Sequence, residues 1–356
     1  MLTNEHLFIK ACRGLTANRT PVWIMRQAGR YLPEYRAVRA KVDFLTLCKT
    51  PELAAEVTVQ PVDILGVDAA ILFSDILLVP EAMGMELELI ESKGPVFKEP
   101  IRTAEQIEQL IRPDVMDKLS FVIKAIEHTK GLLSDRVPLI GFSGSPWTLA
   151  SYMVEGKGSK DFQNIKNLIY SEPALTHKLL EKLTLVVTDY LHAKIEAGCD
   201  AIQIFDTWGG ILTPDDFREF SLRYIKDVVK EIKSRNVPVI VFAKGTAHSL
   251  KEVANSGCDV VGLDWTVDIG EAKKQIGNTT ALQGNLDPSV LLAPEKKIEE
   301  ETIKILNRFG HGEGHIFNLG HGILPNTPVE NAKFLVKTVK EQSVKYHSSR
   351  ITSGVF

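Results

Sequence analysis

Val239-Ile240-Val241-Phe242-Ala243 is an uninterrupted apolar run that stops at Lys244. It has the length of a strand, and it is apolar at every position rather than at alternate ones. That pattern reads as a parallel strand covered on both faces. Seven further short runs, apolar apart from Gln203, Gln283 and Asn318, are spaced along the chain, at 22–25, 69–73, 139–142, 201–205, 260–263, 281–284 and 316–319. Segments of helical spacing lie between them. One starts at Pro173, passes Leu179, Leu183, Val186, Tyr190 and Ile195, and is closed by Gly198. Another opens at Pro214-Asp215-Asp216-Phe217 and passes Phe220, Tyr224 and Val228, with its aspartates at the positive end of the helix dipole. Eight strands alternating with helices fit a closed parallel barrel or a doubly wound sheet. No G-x-G-x-x-G follows the first strand, and a count of eight favours the barrel. The expectation is α/β: a single-domain (β/α)8 TIM barrel over residues 1–346, with its active-site cleft at the C-terminal ends of the strands and a short polar tail at 347–356.

Composition bounds what such a chain does. Of its 356 residues, 44% are hydrophobic and 24% charged, which allows a core that needs neither disulfides nor metals. Lys plus Arg number 42 against 45 Asp plus Glu, for a net charge of −3. That balance argues against a surface built for nucleic acid and leaves room for a local basic pocket. Cys12, Cys48, Cys199 and Cys258 show no C-x-x-C spacing and read as reduced, buried thiols of a cytoplasmic protein. Residues 1–13 lack the apolar centre of a signal peptide, and no apolar run approaches the length of a membrane span.

Barrels of this kind draw their chemistry from the C-terminal ends of the strands. Polar residues stand at all eight of those ends: Arg26-Gln27, Ser74-Asp75, Ser143 and Ser145, Asp206-Thr207, Lys244 and Thr246, Asp264, Asn285 and Asp287, Asn318 and His321. The first end is the densest. Arg26, Arg30, Arg36 and Arg39 fall within fourteen positions, around Gly29. Guanidinium groups grip carboxylates bidentately and stay charged when partly desolvated. On spacing alone the cluster is either an anion site or a solvated charge run.

Residues Met25 to Arg36 resemble the N-terminal signature of the uroporphyrinogen decarboxylase family. Four more stretches resemble its motifs in the same order: Leu72-Phe73-Ser74-Asp75-Ile76-Leu77; Gly141 to Leu149 followed by Tyr152-Met153-Val154-Glu155-Gly156; Gln203-Ile204-Phe205-Asp206-Thr207-Trp208; and Asn318-Leu319-Gly320-His321-Gly322. The resemblance covers nearly the whole chain. It implies a cofactor-independent carboxy-lyase that removes the four acetate carboxyl groups of uroporphyrinogen III to give coproporphyrinogen III in porphyrin (haem) biosynthesis. It also implies a homodimer, a tetrapyrrole substrate, and no dependence on nucleic acid or membrane.

Carried over by position, the resemblance implies that Arg26, Gln27, Ala28, Gly29 and Arg30 line the pocket, with Arg26, Arg30 and Arg39 facing substrate carboxylates. Asp75 is implied as the transition-state stabiliser, beneath the macrocycle and accepting from pyrrole N–H groups. Phe44, Tyr152, Thr207 and His321 are further contacts. Thr207 keeps the hydroxyl that the family has as Ser or Thr, while Leu45 stands after Phe44 where many members have a second aromatic, so one pocket wall departs from the family pattern. Read without the resemblance, Asp75 is equally a strand-end turn residue, His321 a turn hydrogen-bonder, and Tyr152 core packing with a wet hydroxyl.

Other patterns carry less. His311-Gly312-Glu313-Gly314-His315 has metal-like spacing, but its glycines oppose the helix that aligns two such rings. Gly141-x-Ser143-x-Ser145 lacks the last glycine of a nucleophile elbow. Lys244 ends a strand, where Schiff-base lysines also sit. The alternative enzyme is a zinc-dependent corrinoid or coenzyme-M methyltransferase of the same superfamily, which uses a His-x-Cys pair after a mid-barrel strand. Here Phe242-Ala243-Lys244-Gly245 occupies that place with neither ligand. A non-catalytic tetrapyrrole carrier is a third reading, and a carrier of an anion gains little from a central carboxylate such as Asp75.

Overall fold

The computed structural model describes residues 5–90, 94–277 and 279–347, so the tail from 348 onward lies outside the described residues. In chain order the strands are β1 (Ala70–Ile71), β2 (Leu87–Ile90), β3 (Gly94–Phe97), β4 (Leu139–Gly144), β5 (Ala201–Asp206), β6 (Val239–Ala243), β7 (Val260–Gly262), β8 (Ala281–Gln283) and β9 (His315–Ile316). Seven of them form one parallel sheet in the order β1-β4-β5-β6-β7-β8-β9. Each joins its neighbour through at least one helix, as parallel pairing requires. Strands β2 and β3 form a separate antiparallel hairpin that the sequence reading missed. Its strands are four residues each and lack the long apolar run used to find the others.

The sheet is curled rather than flat, and its interior shows why. Trp23 Nε1 donates to Gln283 Oε1 at 2.9 Å, and Gln283 Nε2 donates to Gln203 Oε1 at 3.2 Å. Gln203 lies on β5 and Gln283 on β8, three strands apart, which is roughly 14 Å across a flat sheet. Side chains standing perpendicular to a flat sheet do not meet over that span. Curling brings the three buried groups together, and both ends of the Gln283 amide gain a partner where an orphan is costly.

The predicted strand at 22–25 is the correction. These residues are buried, but only Val22 pairs, through an isolated parallel bridge to Phe317. Its carbonyl accepts from Asp68 N–H at 2.8 Å on the other side. Beyond it, side chains take over the ladder's role. Ile24 N–H donates to Gln27 Oε1 at 3.0 Å, and Met25 N–H donates to Asn318 Oδ1 at 2.9 Å. A run whose amides are satisfied by side chains has no strand partner to extend along.

Helices cover the sheet's outer face. The predicted long helix spans Pro173–Glu196, and Gly198 follows it at φ +112°, the left-handed conformation of a helix stop. From its last turn the buried Lys194 donates to Phe142 O at 2.7 Å, tying the helix to β4. Burial lowers the Lys194 pKa to about 7. The next predicted helix begins at Pro214, with Thr213 Oγ1 accepting from Asp216 N–H at 3.2 Å. It widens into a π-helical stretch at Phe217–Leu222 before continuing as Arg223–Ile232. Such bulges occur often beside functional positions.

Candidate active site

The first strand-end segment is held by Gln27. Its side chain is fully buried, donating to Ala69 O at 3.0 Å and accepting from Ile24, while its carbonyl accepts from Tyr31 Oη at 2.8 Å. Both ends of the side-chain amide are therefore spent within the protein, and the Gln27 backbone N–H donates to Ile24 O at 2.9 Å. Arg26 precedes it at φ +62°, a left-handed conformation unusual for a side-chain-bearing residue. Gly322 packs on its stem: a Cβ there meets Arg26 Cδ at 2.3 Å, so only glycine leaves Arg26 its place.

Arg26 and Arg30 are exposed, and their guanidinium groups make no hydrogen bond or ion pair with the described residues. Arg39 is half-buried and donates to Val42 O. Arg36 Nη1 donates to Arg30 O at 3.0 Å and pins the loop. Ala28 and Gly29 are half-buried between them.

Asp75 follows β1. Its Oδ1 accepts from Leu77 N–H at 2.8 Å, and its second oxygen has no hydrogen bond among the described residues. Burial raises its pKa above the ordinary carboxylate range, against the pull of the Leu77 amide and the Arg26 charge. Arg26 also acts on Tyr152 and His321, so the three side chains share one guanidinium field. Burial raises the Tyr152 phenol pKa. The Tyr152 ring meets Trp208 edge-on at 6.0 Å, and Phe44 meets Phe73 at 5.9 Å, supplying two aromatic walls.

Thr207 and Trp208 are set by the residue before them. Asp206 is fully buried and accepts from Ser145 Oγ at 2.7 Å, Thr148 Oγ1 at 2.9 Å and Ser221 Oγ at 2.7 Å. Burial raises its pKa, and the three hydroxyls oppose the rise. It is a clamp between the β4 and β5 loops and the π-helical stretch, with no surface to offer a ligand.

His321 sits beside Phe242 and Trp265, each 6.3 Å away between ring centroids. Burial, with Arg26 and Lys244, lowers its pKa to about 4, so its imidazole is neutral at physiological pH. His311 and His315 do not converge: His315 stacks on Phe309 in the core at 4.3 Å, while His311 meets Tyr346. Among the described residues no three His, Cys, Asp or Glu side chains form a metal-sized group. The four cysteines are free and buried. A hollow of about 600 Å³ lined by Glu52, Glu127 and His128 lies between outer helices and shares no residue with the strand ends.

Trp265 is a candidate site residue that sequence reading missed. It follows Asp264 at a strand end just as Trp208 follows Asp206-Thr207, and that parallel was the available signal.

The fold and site together define a parallel α/β protein whose strand ends place the unspent Arg26 guanidinium in the field of a desolvated carboxylate, Asp75, an arrangement suited to an anionic ligand that also bears N–H groups or positive charge. The pattern of the uroporphyrinogen decarboxylase (URO-D) family matches residues 3–342, and the chain belongs to that family. It is 57% identical over 354 residues to the uroporphyrinogen decarboxylase of Chloroherpeton thalassium, covering 98% of this chain and 100% of that one. It is 56% identical over 352 residues to the Chlorobaculum parvum enzyme of the same name, again over 98% of this chain and 100% of that one. Among solved structures, a methyltransferase from Methanosarcina mazei superposes with a TM-score of 0.80 at 22% identity, covering 94% of this chain and 97% of that one. That likeness is one of fold. No helix of the described residues is long and apolar enough to cross a membrane.

Proposed function

We propose that this chain removes the four acetate carboxyl groups of uroporphyrinogen III, giving coproporphyrinogen III in porphyrin (haem) biosynthesis, with no cofactor. One observation carries the reading: Asp75, a desolvated carboxylate with one oxygen unspent, lies in the field of the unpaired Arg26.

Loss of CO2 from an acetate arm strands an electron pair unless a sink is at hand. Protonation of the neighbouring pyrrole carbon makes the ring a cation. The bond to the carboxylate then breaks, its electrons neutralise the ring as an exocyclic methylene, and a second proton converts that methylene to methyl. The first proton leaves as the pyrrole is restored, so each turn consumes one proton and releases one CO2.

The protein has two tasks in this scheme. Arg26, Arg30 and Arg39 hold acid arms, with the backbone of Gln27, Ala28 and Gly29 beside them. Asp75 accepts from the pyrrole N–H groups and stabilises the cation, a fixed charge aimed at developing charge. Two unit charges about 4 Å apart attract by roughly 4 kcal/mol at an effective dielectric near 20. Spread over a delocalised ring, about half of that remains, worth on the order of 10- to 100-fold in rate. Phe44 and Tyr152 wall the ring, while Thr207 and neutral His321 offer hydrogen bonds to it.

Val22, bonded on both sides, supports reading the curled sheet as a closed eight-membered barrel. The family resemblance extends the proposal to a cytoplasmic homodimer, for which sedimentation at twice the chain mass is expected. Methyl transfer is the alternative activity, and stoichiometric zinc in the purified chain would support that reading. Incubation with uroporphyrinogen under reducing conditions decides between them: CO2 and coproporphyrinogen are expected, and no CO2 release removes the decarboxylase reading.

A further inference from the structure

The arginines of the site all leave the chain near one stave, the segment that follows Val22. In the order Val22, β1, β4, β5, β6, β7, β8, β9, with Phe317 bridging back to Val22, strand β6 is four places away in either direction. A disc-shaped polycarboxylate extends acid arms on every side. Arms that point away from the Arg26 stave therefore need a cation on the far side, and β6 ends in Lys244.

Lys244 is half-buried, yet its ammonium has no hydrogen bond or ion pair with any described residue. Desolvating a cation without a partner is unfavourable. Its recorded contact is the Trp265 ring, with Nζ 5.4 Å from the centroid. Trp265 is a large aromatic that stays 38% exposed, at the strand ends where a ligand would arrive. Its other neighbour is His321, edge-on at 6.3 Å, whose imidazole feels both Arg26 and Lys244. Lys244 thus belongs to the same field as the arginines while standing on another stave.

The pair is built, not incidental. Asp264, buried between them, accepts from Gly245 N–H at 2.6 Å and from Thr266 N–H at 2.8 Å. Those are the residues immediately after Lys244 and Trp265, so one carboxylate fixes both loops and is spent on backbone and hydroxyl donors. Asn285 Nδ2 braces the second loop through Asp264 O at 2.8 Å and Val267 O at 2.7 Å. Gly320 closes the arrangement, since a Cβ there would lie 2.2 Å from Trp265 N.

We propose that the Lys244 ammonium, carried on the face of Trp265, is a carboxylate-binding group for substrate acid arms on the side of the sheet away from the arginines. This rests on the tetrapyrrole reading above and assigns it a second cationic wall. Lys244 acts here as a charged hydrogen-bond donor, not as a Schiff-base former.

Lys244→Met keeps the stem and removes the charge, and Lys244→Arg restores the charge. With uroporphyrinogen under reducing conditions, KM rises about tenfold in Lys244→Met, the loss of roughly one charged hydrogen bond, with kcat falling by less. Lys244→Arg stays within about threefold of the parent chain. A second arm needs no turnover: quenching of tryptophan fluorescence by uroporphyrin, the oxidised ring with the same acid arms, should weaken about tenfold in Lys244→Met only. Equal binding by the parent and Lys244→Met overturns the proposal, as does equal impairment of both variants, which marks a structural role. If the parent chain binds uroporphyrin and releases no CO2 from uroporphyrinogen, the decarboxylase reading fails while the Lys244 inference stands or falls on the binding arm. If it neither binds nor turns over, both fail.

Discussion

Burial raises the Asp75 carboxyl pKa, so its ionised form is disfavoured in the folded chain. For a group raised on folding, the stability contribution is present at low pH and is lost as pH rises through the folded value. At neutral pH the charge at Asp75 therefore costs stability, and the site holds it for chemistry. Asp75→Asn keeps the acceptor for Leu77 N–H and removes the charge. We expect turnover to fall roughly 10- to 100-fold, while Tm rises by about 1 to 3 °C in a calorimetric scan. Retained turnover together with a lower Tm would reverse that assignment. Gly322→Ala tests the neighbouring cation. Its Cβ collides with the Arg26 stem, not with backbone, so the guanidinium shifts while the fold holds. A KM increase of about tenfold with kcat nearly kept is expected from steady-state rates.

Elements enter through the loops that Asp206 ties together. The π-helical stretch at Phe217–Leu222 brings Ser221 Oγ onto Asp206, whose other donors come from the turn after β4. Asp206→Ala leaves three buried hydroxyls without their acceptor. A loss of about 3 to 5 kcal/mol in urea unfolding is expected. A loss below about 1 kcal/mol would mean that the loops hold without it. In sequence, Asp206 looked like one more polar strand end beside Thr207. Only the packing shows it facing inward. Gln27 is a similar case: its position was legible, but the two backbone groups that occupy its amide come from Ala69 and Ile24.

At the scale of the whole molecule, buried histidines link stability to pH. Burial lowers the pKa of His321 to about 4, and it lowers that of His315 still further. Unfolded histidines titrate near 6.5, so below that value the unfolded chain takes up protons that the folded chain refuses. The histidine contribution to stability is therefore complete above about pH 6.5 and declines as pH falls toward 4. Urea midpoints across this window should track the decline, and His315→Leu should flatten its slope while giving up the contact of Nε2 with Gly284 O at 3.3 Å. An unchanged slope in that variant would place the pH dependence elsewhere.

The chain's apolar runs by themselves determined seven of the eight predicted strands, with β6 matching at both ends, because a strand buried on both faces leaves an unbroken local signal. Five ordered motifs likewise determined the family. Tertiary structure alone decided that 22–25 yields one bridge instead of a strand, since Gln27 and Asn318 satisfy its amides from three and 293 residues away. It also decided which charges are free to meet a ligand. Arg36 and Asp206 are spent, while Arg26 and Lys244 are not, and a partner brought near by folding leaves no trace in the residue's own neighbours along the chain.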